Sequence, residues 1–491
     1  MRKSIIHILL MPVLLTGIFA CGPKDPETPE IPQEELDRLK TVNIFAYNTM
    51  NIYYLWNEEI SDGLATWKLN EDPIEKVKII RYKDDQGKDI DKWTVVTDDI
   101  DSMMSKTAGV STTYGFDFKL YYTDSYHTGV CIVVTVVYPG SPADKAGIKR
   151  GDIFLKIGGS TLTPDNYSSL LYDKFLYAPD CTLTDMDGKA HSMKAVEMYE
   201  NPVLVQKVFE VGGKKIGYLF FNRFTLGACE DLIKAGKYFC SEGIDDLILD
   251  MRYNSGGYVV TENVLASMLA PESEVIAGSV FETAVYNKIL AKAWGEDKSC
   301  FSQEIKYTDA NGDHIFSVAG ANPGIKHLYA IMTEDSASAS ESLLVGLMPY
   351  LDIKIFGQKS YGKYLTGIMY SAKKWYNDYD EQLDDSQRQL GKEYADKWGI
   401  YVMIARYADK DGNTPCMPDG FIPDYYVNDY PTETYPLGDE REAMLSAVLA
   451  RVGGKAAPAA GRAATKAPAR TLGAEIPLDR DPFWGAHILL R

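Results

Sequence analysis

Two short segments hold residue types that could carry out acyl transfer. The first is TEDSASASE, Thr333 to Glu341, between an apolar strand pattern and an apolar helix pattern. A serine at such a strand-to-helix turn faces the positive end of the helix dipole. Backbone N–H groups at the same turn can hold an oxyanion. Ser338 with Glu341 three residues later also spells a capping box, so by itself this serine reads as a helix cap. The second segment is GQKSYGKYLTG, Gly357 to Gly367, a Gly-flanked turn. A lysine becomes a general base when desolvation depresses its pKa, and Lys363 is the candidate. Alone it reads as a solvated loop charge. Histidine, the commoner base, occurs six times and in no compelling motif.

The elements around these turns must bring them together. From residue 199 onward, strand and helix patterns alternate. KIGYLFF (215–221) reads as a strand, CEDLIKAGKYFCSEG as a helix stopped by Gly243, and DDLILDM (245–251) as a strand followed by NSGG. A helix follows from about Thr261, then strand HLYAIMT (327–333), helix SASESLLVGLM and strand DIKIFG. Repeated β-α-β units predict a mainly parallel sheet covered by helices. The turns carrying Ser338 and Lys363 follow strands of neighbouring units. Two stretches, about 281–322 and 373–398, read as insertions, the second as an acidic surface excursion. Ahead of this core, residues 115 to 198 read as short strands with turns. Residues 35 to 60 show helical spacing of Leu36, Leu39, Val42, Phe45 and Met50, and a polar loop region runs on to about 105.

Within the strand-rich region, GSPADKAGIKRGD (140–152) resembles a PDZ domain, and the resemblance places its peptide-binding loop at Tyr114, Gly115, Phe116 and Asp117. PDZ domains bind extended peptides by strand addition. With LILDMRYNSGG (247–257), SASASE (336–341), GKYLTG (362–367) and the closing DGFIPDYYV (419–427), the chain from about 35 to 430 resembles the C-terminal processing peptidases of family S41. That resemblance implies Ser338 as nucleophile and Lys363 as general base. It also implies the backbone N–H groups of Gly257, or of Gly256, and of Ala339 as oxyanion donors. The substrate is then a polypeptide, unfolded or recognised at its C-terminus, and no cofactor or metal is required. One departure stands out. Many members carry a glutamine four residues after the lysine, and here that position is Gly367. Gln358 and Thr366 are the nearby polar substitutes. A chain that kept the fold as a weak or inactive peptide-binding protein is the alternative.

The expected organisation is a signal peptide over 1–20, a tether over 21–33, an N-terminal helical region over 34–105, and a PDZ domain over 106–198. The protease core follows over 199–452 and a flexible tail over 453–491. The fold class is an α/β core with an inserted PDZ domain, itself a partly open β-barrel. Arg2 and Lys3 followed by an apolar run from Ile5 to Ala20 read as an export signal. Ile18-Phe19-Ala20-Cys21 resembles a lipobox, which implies lipidation at Cys21 and a membrane anchor on the periplasmic or outer surface of a cell envelope. GPKDPETPEIPQEE past Cys21 is a solvated tether. The other six cysteines permit disulfides in an oxidising compartment, with Cys131–Cys181 the plausible pair and buried thiols the equal alternative. Their irregular spacing, with no CxxC, gives no support for zinc. The formal net charge of −18 argues against a nucleic-acid partner, which needs a basic footprint.

Overall fold

The computed structural model describes residues 31–101, 110–309, 312–430, 432–454, 472–477 and 487–488. The segment read as an export signal and Cys21 lie outside the described residues, as do most of the expected tether and tail. No helix among the described residues is long and apolar enough to cross a membrane.

The N-terminal region is one helix, α1 (Gln33–Tyr53), with Glu34 and Glu35 in its first turn, where carboxylates complement the helix dipole. Val42, Phe45, Ala46, Thr49, Met50 and Tyr53 recur at helical spacing and are buried. The region after it, expected as loop, holds two short helices (Ser61–Ala65 and Pro73–Ile80) and strand β1 (Val95–Thr97).

The PDZ domain follows with β2 (Phe116–Tyr122), β3 (Val130–Val137), α2 (Pro142–Lys145) and β4 (Ile153–Ile157). Then come α3 (Tyr167–Leu171), β5 (Asp180–Asp185) and β6 (Ala190–Lys194). Ser141 caps α2 through the Asp144 N–H, and Pro142 opens that helix. The sheet runs β2-β3-β4-β5-β6 and stays open. Cys131 and Cys181 form no disulfide and are buried thiols.

The core begins with β7 (Val203–Val211), β8 (Lys214–Phe221), α4 (Ala228–Glu242), β9 (Asp246–Asp250), β10 (Gly257–Tyr258) and α5 (Val259–Leu269). It continues with β11 (Val280–Tyr286), β12 (Asp297–Cys300), β13 (His327–Met332), α6 (Ala339–Leu347), β14 (Asp352–Gly357) and β15 (Leu365–Ser371). Helices α7 (Ala372–Asp378) and α8 (Asp385–Tyr394), β16 (Gly399–Ala408), β17 (Tyr425–Tyr426) and α9 (Ala443–Val452) complete it. Two short strands of the C-terminal segment are also described, β18 (Glu475–Ile476) and β19 (His487–Ile488).

The first core sheet has the order β7-β8-β9-β13-β14-β17, parallel from β8 onward. Its central strands are buried on both faces, as continuous apolar runs such as DLILD and HLYAIM require. A second sheet, β10-β19-β15-β16-β11-β12 with β1 beside β16, lies apart from it and contains antiparallel pairs. The sequence pattern had not separated this sheet, because its strands come from segments far apart in the chain. The stretch 373–398 is not a surface excursion. Trp375 and Tyr379 have no solvent exposure, Trp375 meets Phe45 of α1 edge-on at 6.0 Å, and the Tyr379 hydroxyl bonds that of Tyr53 at 2.8 Å. Its acidic residues sit on outward positions, so average composition conceals an apolar inner face.

Candidate active site

Ser338 is the cap residue of α6, with φ +59° and ψ −114°, a left-handed conformation that is strained for a serine by about 1–3 kcal/mol. The surrounding hydrogen bonds hold it there. The Asn254 carbonyl accepts from the Ala337 N–H at 3.1 Å and from Ser340 Oγ at 2.8 Å. Ser336 Oγ donates to the Met251 carbonyl at 2.8 Å, and the Thr333 hydroxyl donates to the Arg252 carbonyl. The hydroxyls of Ser336 and Ser340 are thus consumed in fastening the loop to the MRYNSGG turn. Ser338 Oγ lies by the Glu341 N–H but makes no hydrogen bond of good geometry, and it has no partner among the described residues.

Glu341 connects the two candidate segments. Its Oε2 accepts from the backbone N–H of Ser338 at 3.1 Å and of Lys363 at 2.9 Å, so those two amides lie within about 6 Å of each other. Its Oε1 accepts from the Gly362 N–H at 2.8 Å and from the Ser360 hydroxyl. Burial nevertheless raises the carboxyl to a pKa of about 7, against the pull of these donors. A second bridge comes from Tyr407, whose hydroxyl reaches the carbonyls of Lys363 at 2.6 Å and Ser338 at 3.4 Å. Gly362 has φ +89°, and a side chain there would meet the Gly420 nitrogen at 2.6 Å.

Lys363 is fully buried, and its ammonium is pushed down to a pKa of about 7 by desolvation, with Asp91 and Glu341 opposing. Nζ lies 3.3 Å from the Tyr401 hydroxyl, 5.0 Å from the centre of the Trp93 ring and 5.3 Å from that of Tyr401. Tyr401 thereby answers the question posed by Gly367. A Cβ at position 367 would lie 2.5 Å from both Met403 Cε and the Tyr401 ring. The aromatic ring from β16 occupies the space that a long side chain on β15 would need. The sequence pointed to Gln358 or Thr366, and nothing in the strand GIYVMIARYA singles out Tyr401. Trp93 was equally invisible, whereas Glu341 was legible only as a capping residue.

The third element of the site is the NSGG turn. The Asn254 side chain accepts from the Gly256 N–H at 2.9 Å and donates to the Phe221 carbonyl at 2.9 Å. The Gly256 N–H is therefore spent, which leaves Gly257, paired in β10 with His487 of β19, as the candidate donor of the two. Gly257 has φ +145°, and a Cβ there would sit 2.2 Å from the Phe224 carbonyl oxygen. Ala339 opens α6, where a backbone N–H has no intrahelical acceptor. Beneath the turn, Arg252 is fully buried between Asp250 (2.7 Å), Glu442 (2.6 Å) and Asp429 (3.4 Å). Arg150 of the PDZ domain enters the same cluster through Asp429 at 3.2 Å and Tyr253 at 3.3 Å. Those ion pairs dock the domain onto the turn that carries Gly257.

In the PDZ domain, Tyr114 and Phe116 turn inward. Tyr114 stacks on Phe175 with ring centres 5.3 Å apart, and both belong to the domain core. The carbonyls of Tyr114 and Gly115 accept from Ala143 and Tyr138, and the Gly115 N–H donates to Thr113 Oγ1. Asp117 bonds Asn222 of the core at 2.7 Å.

Residues 215–427 match the model of peptidase family S41, and residues 133–174 match that of a PDZ domain. A protein of Staphylococcus aureus (strain MSSA476) named "Probable CtpA-like serine protease" is 25% identical over 345 residues, 66% of this chain and 62% of that protein. The chain thus matches less than two thirds of that relative's length. A "Carboxyl-terminal-processing protease" of Picosynechococcus is 25% identical over 244 residues, 48% of this chain and 52% of that one. Among solved structures, an S41-assigned protein of Bacteroides fragilis superimposes with a TM-score of 0.63 at 20% identity, covering 88% of this chain and 99% of that one. The fold is that of the S41 proteases with a PDZ domain.

Proposed function

We propose that this chain is a serine endopeptidase that cleaves unfolded or C-terminally presented polypeptides with a Ser338–Lys363 dyad. One observation carries the reading. Of the serines in SASASE, only Ser338 has a side chain spared from structural hydrogen bonding, and it shares the Glu341 carboxylate with a lysine held near neutrality. Neutral Lys363 takes the proton of Ser338 Oγ, and the oxygen adds to the scissile carbonyl. The N–H groups of Gly257 and Ala339 stabilise the oxyanion, each worth about 3 kcal/mol. The C–N bond breaks as the lysine ammonium passes the proton to the leaving amine. Water, deprotonated by the same lysine, then hydrolyses the acyl-enzyme.

The loss of the family's glutamine favoured a non-catalytic peptide binder. Tyr401 supplies Lys363 with another oxygen partner, which supports the catalytic reading instead. The apolar N-terminal run and Cys21 support export and lipid anchoring at a cell envelope, and the PDZ match over residues 133–174 supports a peptide-binding role for that domain.

The deciding experiment measures degradation of a panel of unfolded proteins by the purified chain and by its Ser338→Ala and Lys363→Ala variants. Degradation by the parent alone is expected. Equal degradation by all three would exclude this dyad.

A further inference from the structure

The edge of the PDZ sheet is already occupied by the chain itself. Strand β2 pairs on its outer side with β18, antiparallel, Glu475 opposite Tyr121 and Ile476 opposite Leu120. The Gly473 N–H donates to the Tyr122 carbonyl at 2.9 Å, and the Tyr122 N–H donates to the Ala474 carbonyl at 3.0 Å. This is strand addition, the mode by which such edges take peptides. Ile476 is buried in the PDZ core with Leu120. Position 473 admits only glycine, since a Cβ would lie 2.2 Å from the Asp124 carbonyl oxygen.

The fit includes charge. Glu475 Oε2 accepts from Lys119 Nζ at 3.1 Å and from the Tyr121 hydroxyl at 3.2 Å. The same Lys119 ammonium lies 2.5 Å from Asp335 Oδ2, three residues before Ser338. The side chain that reads the peptide on the PDZ edge is thus ion-paired to the nucleophile loop.

The same C-terminal segment reaches the catalytic cleft. In β19, His487 stands opposite Gly257 and Ile488 opposite Tyr258, parallel to β10. On its other side Ile488 stands opposite Gly367 of β15, the strand that follows Lys363. The backbone of β19 fills the gap between the strand bearing the oxyanion glycine and the strand that follows the base.

We propose that the PDZ edge and the catalytic cleft are two stations for one extended peptide whose acidic side chain reaches Lys119. The C-terminal segment of this chain, through residues 472–477 and 487–488, is their resident occupant and competes with substrates supplied in trans. The rate predictions rest on the protease reading above, whereas the binding prediction does not.

The test compares the full chain with a chain ending at residue 471, on one unfolded protein substrate. Removing an intramolecular competitor lowers KM by about tenfold or more and leaves kcat within about twofold. Glu475→Ala in the full chain, which deletes nothing from the fold, lowers KM by about threefold through loss of one charged hydrogen-bond pair. Equal KM values for all three chains overturn the proposal. Independently, a fluorescent synthetic peptide of residues 470–488 is titrated into the Ser338→Ala forms of both chains and followed by anisotropy. It binds the shortened form at least about tenfold more tightly, because the full chain's sites are filled. Equal binding, or none, overturns the proposal. If no chain cleaves the substrate but the peptide discriminates, occupancy stands and the protease reading falls.

Discussion

The Tyr401 hydroxyl lies 3.3 Å from Lys363 Nζ, while the Tyr401 ring fills the space above Gly367. A residue on one strand thus both partners the candidate base and forbids a side chain on the neighbouring strand. Tyr401→Phe keeps the ring and removes the hydroxyl. We expect kcat/KM to fall about tenfold with little change in thermal stability, the loss of one hydrogen bond in the transition state. Gly367→Gln alone should destabilise the protein by about 1–3 kcal/mol through overpacking, and Tyr401→Ala should relieve that strain in the double variant. Denaturant titrations of the two single variants and the pair check the coupling.

Ser336, Ser338 and Ser340 make an internal control. Ser338→Ala is expected to lower kcat by about 10⁴-fold or more while leaving the melting temperature nearly unchanged. Ser336→Ala and Ser340→Ala each break a buried hydrogen bond, so they should lower stability by about 1–3 kcal/mol and retain measurable turnover. Turnover and melting curves on the three variants separate the roles.

Lys363 must be neutral to accept a proton, so kcat/KM should rise with pH through about 7 and then level. The same depressed pKa has a stability consequence. Between about pH 7 and its unfolded value near 10.4, the unfolded chain holds the lysine proton and the native chain does not. Stability from this group therefore rises with pH across that window and is lost as pH falls towards 7. Lys363→Met should flatten that part of the stability-versus-pH curve, which urea titrations at several pH values would read.

Glu341 receives three backbone N–H bonds and one hydroxyl. Glu341→Gln would turn an amide NH₂ towards at least one of these donors. A destabilisation of about 2–4 kcal/mol and a marked loss of turnover are expected, since the loops of Ser338 and Lys363 lose their shared anchor. Calorimetry with turnover assays on the same preparation tests both halves.

Arg150 joins the PDZ domain to a buried cluster with Arg252, Asp429 and Glu442. Arg150→Ala leaves carboxylates short of a partner, and a loss of about 3–5 kcal/mol is expected. If the docking matters for catalysis, limited proteolysis should cut between the PDZ domain and the core earlier in this variant than in the parent.

The sequence determined much of this protein on its own, because hydrophobic period and turn chemistry are local. The strands around residues 215–221, 246–250, 327–332 and 352–357, the stop at Gly243 and the short helix after Ser141 follow from neighbouring residues. So did the two segments that carry Ser338 and Lys363. What only the tertiary structure decided lies between segments. Tyr401, Trp93 and Tyr407 gain meaning from strands and loops that meet across sheets, and no spacing in the chain announces them. The acidic stretch 373–398 packs against the core because Trp375 and Tyr379 face α1, a choice of side that composition cannot register. The Gly367 gap looked like a loss in one dimension. In three, an aromatic ring from a strand more than thirty residues later fills it, since close packing counts volume rather than sequence order.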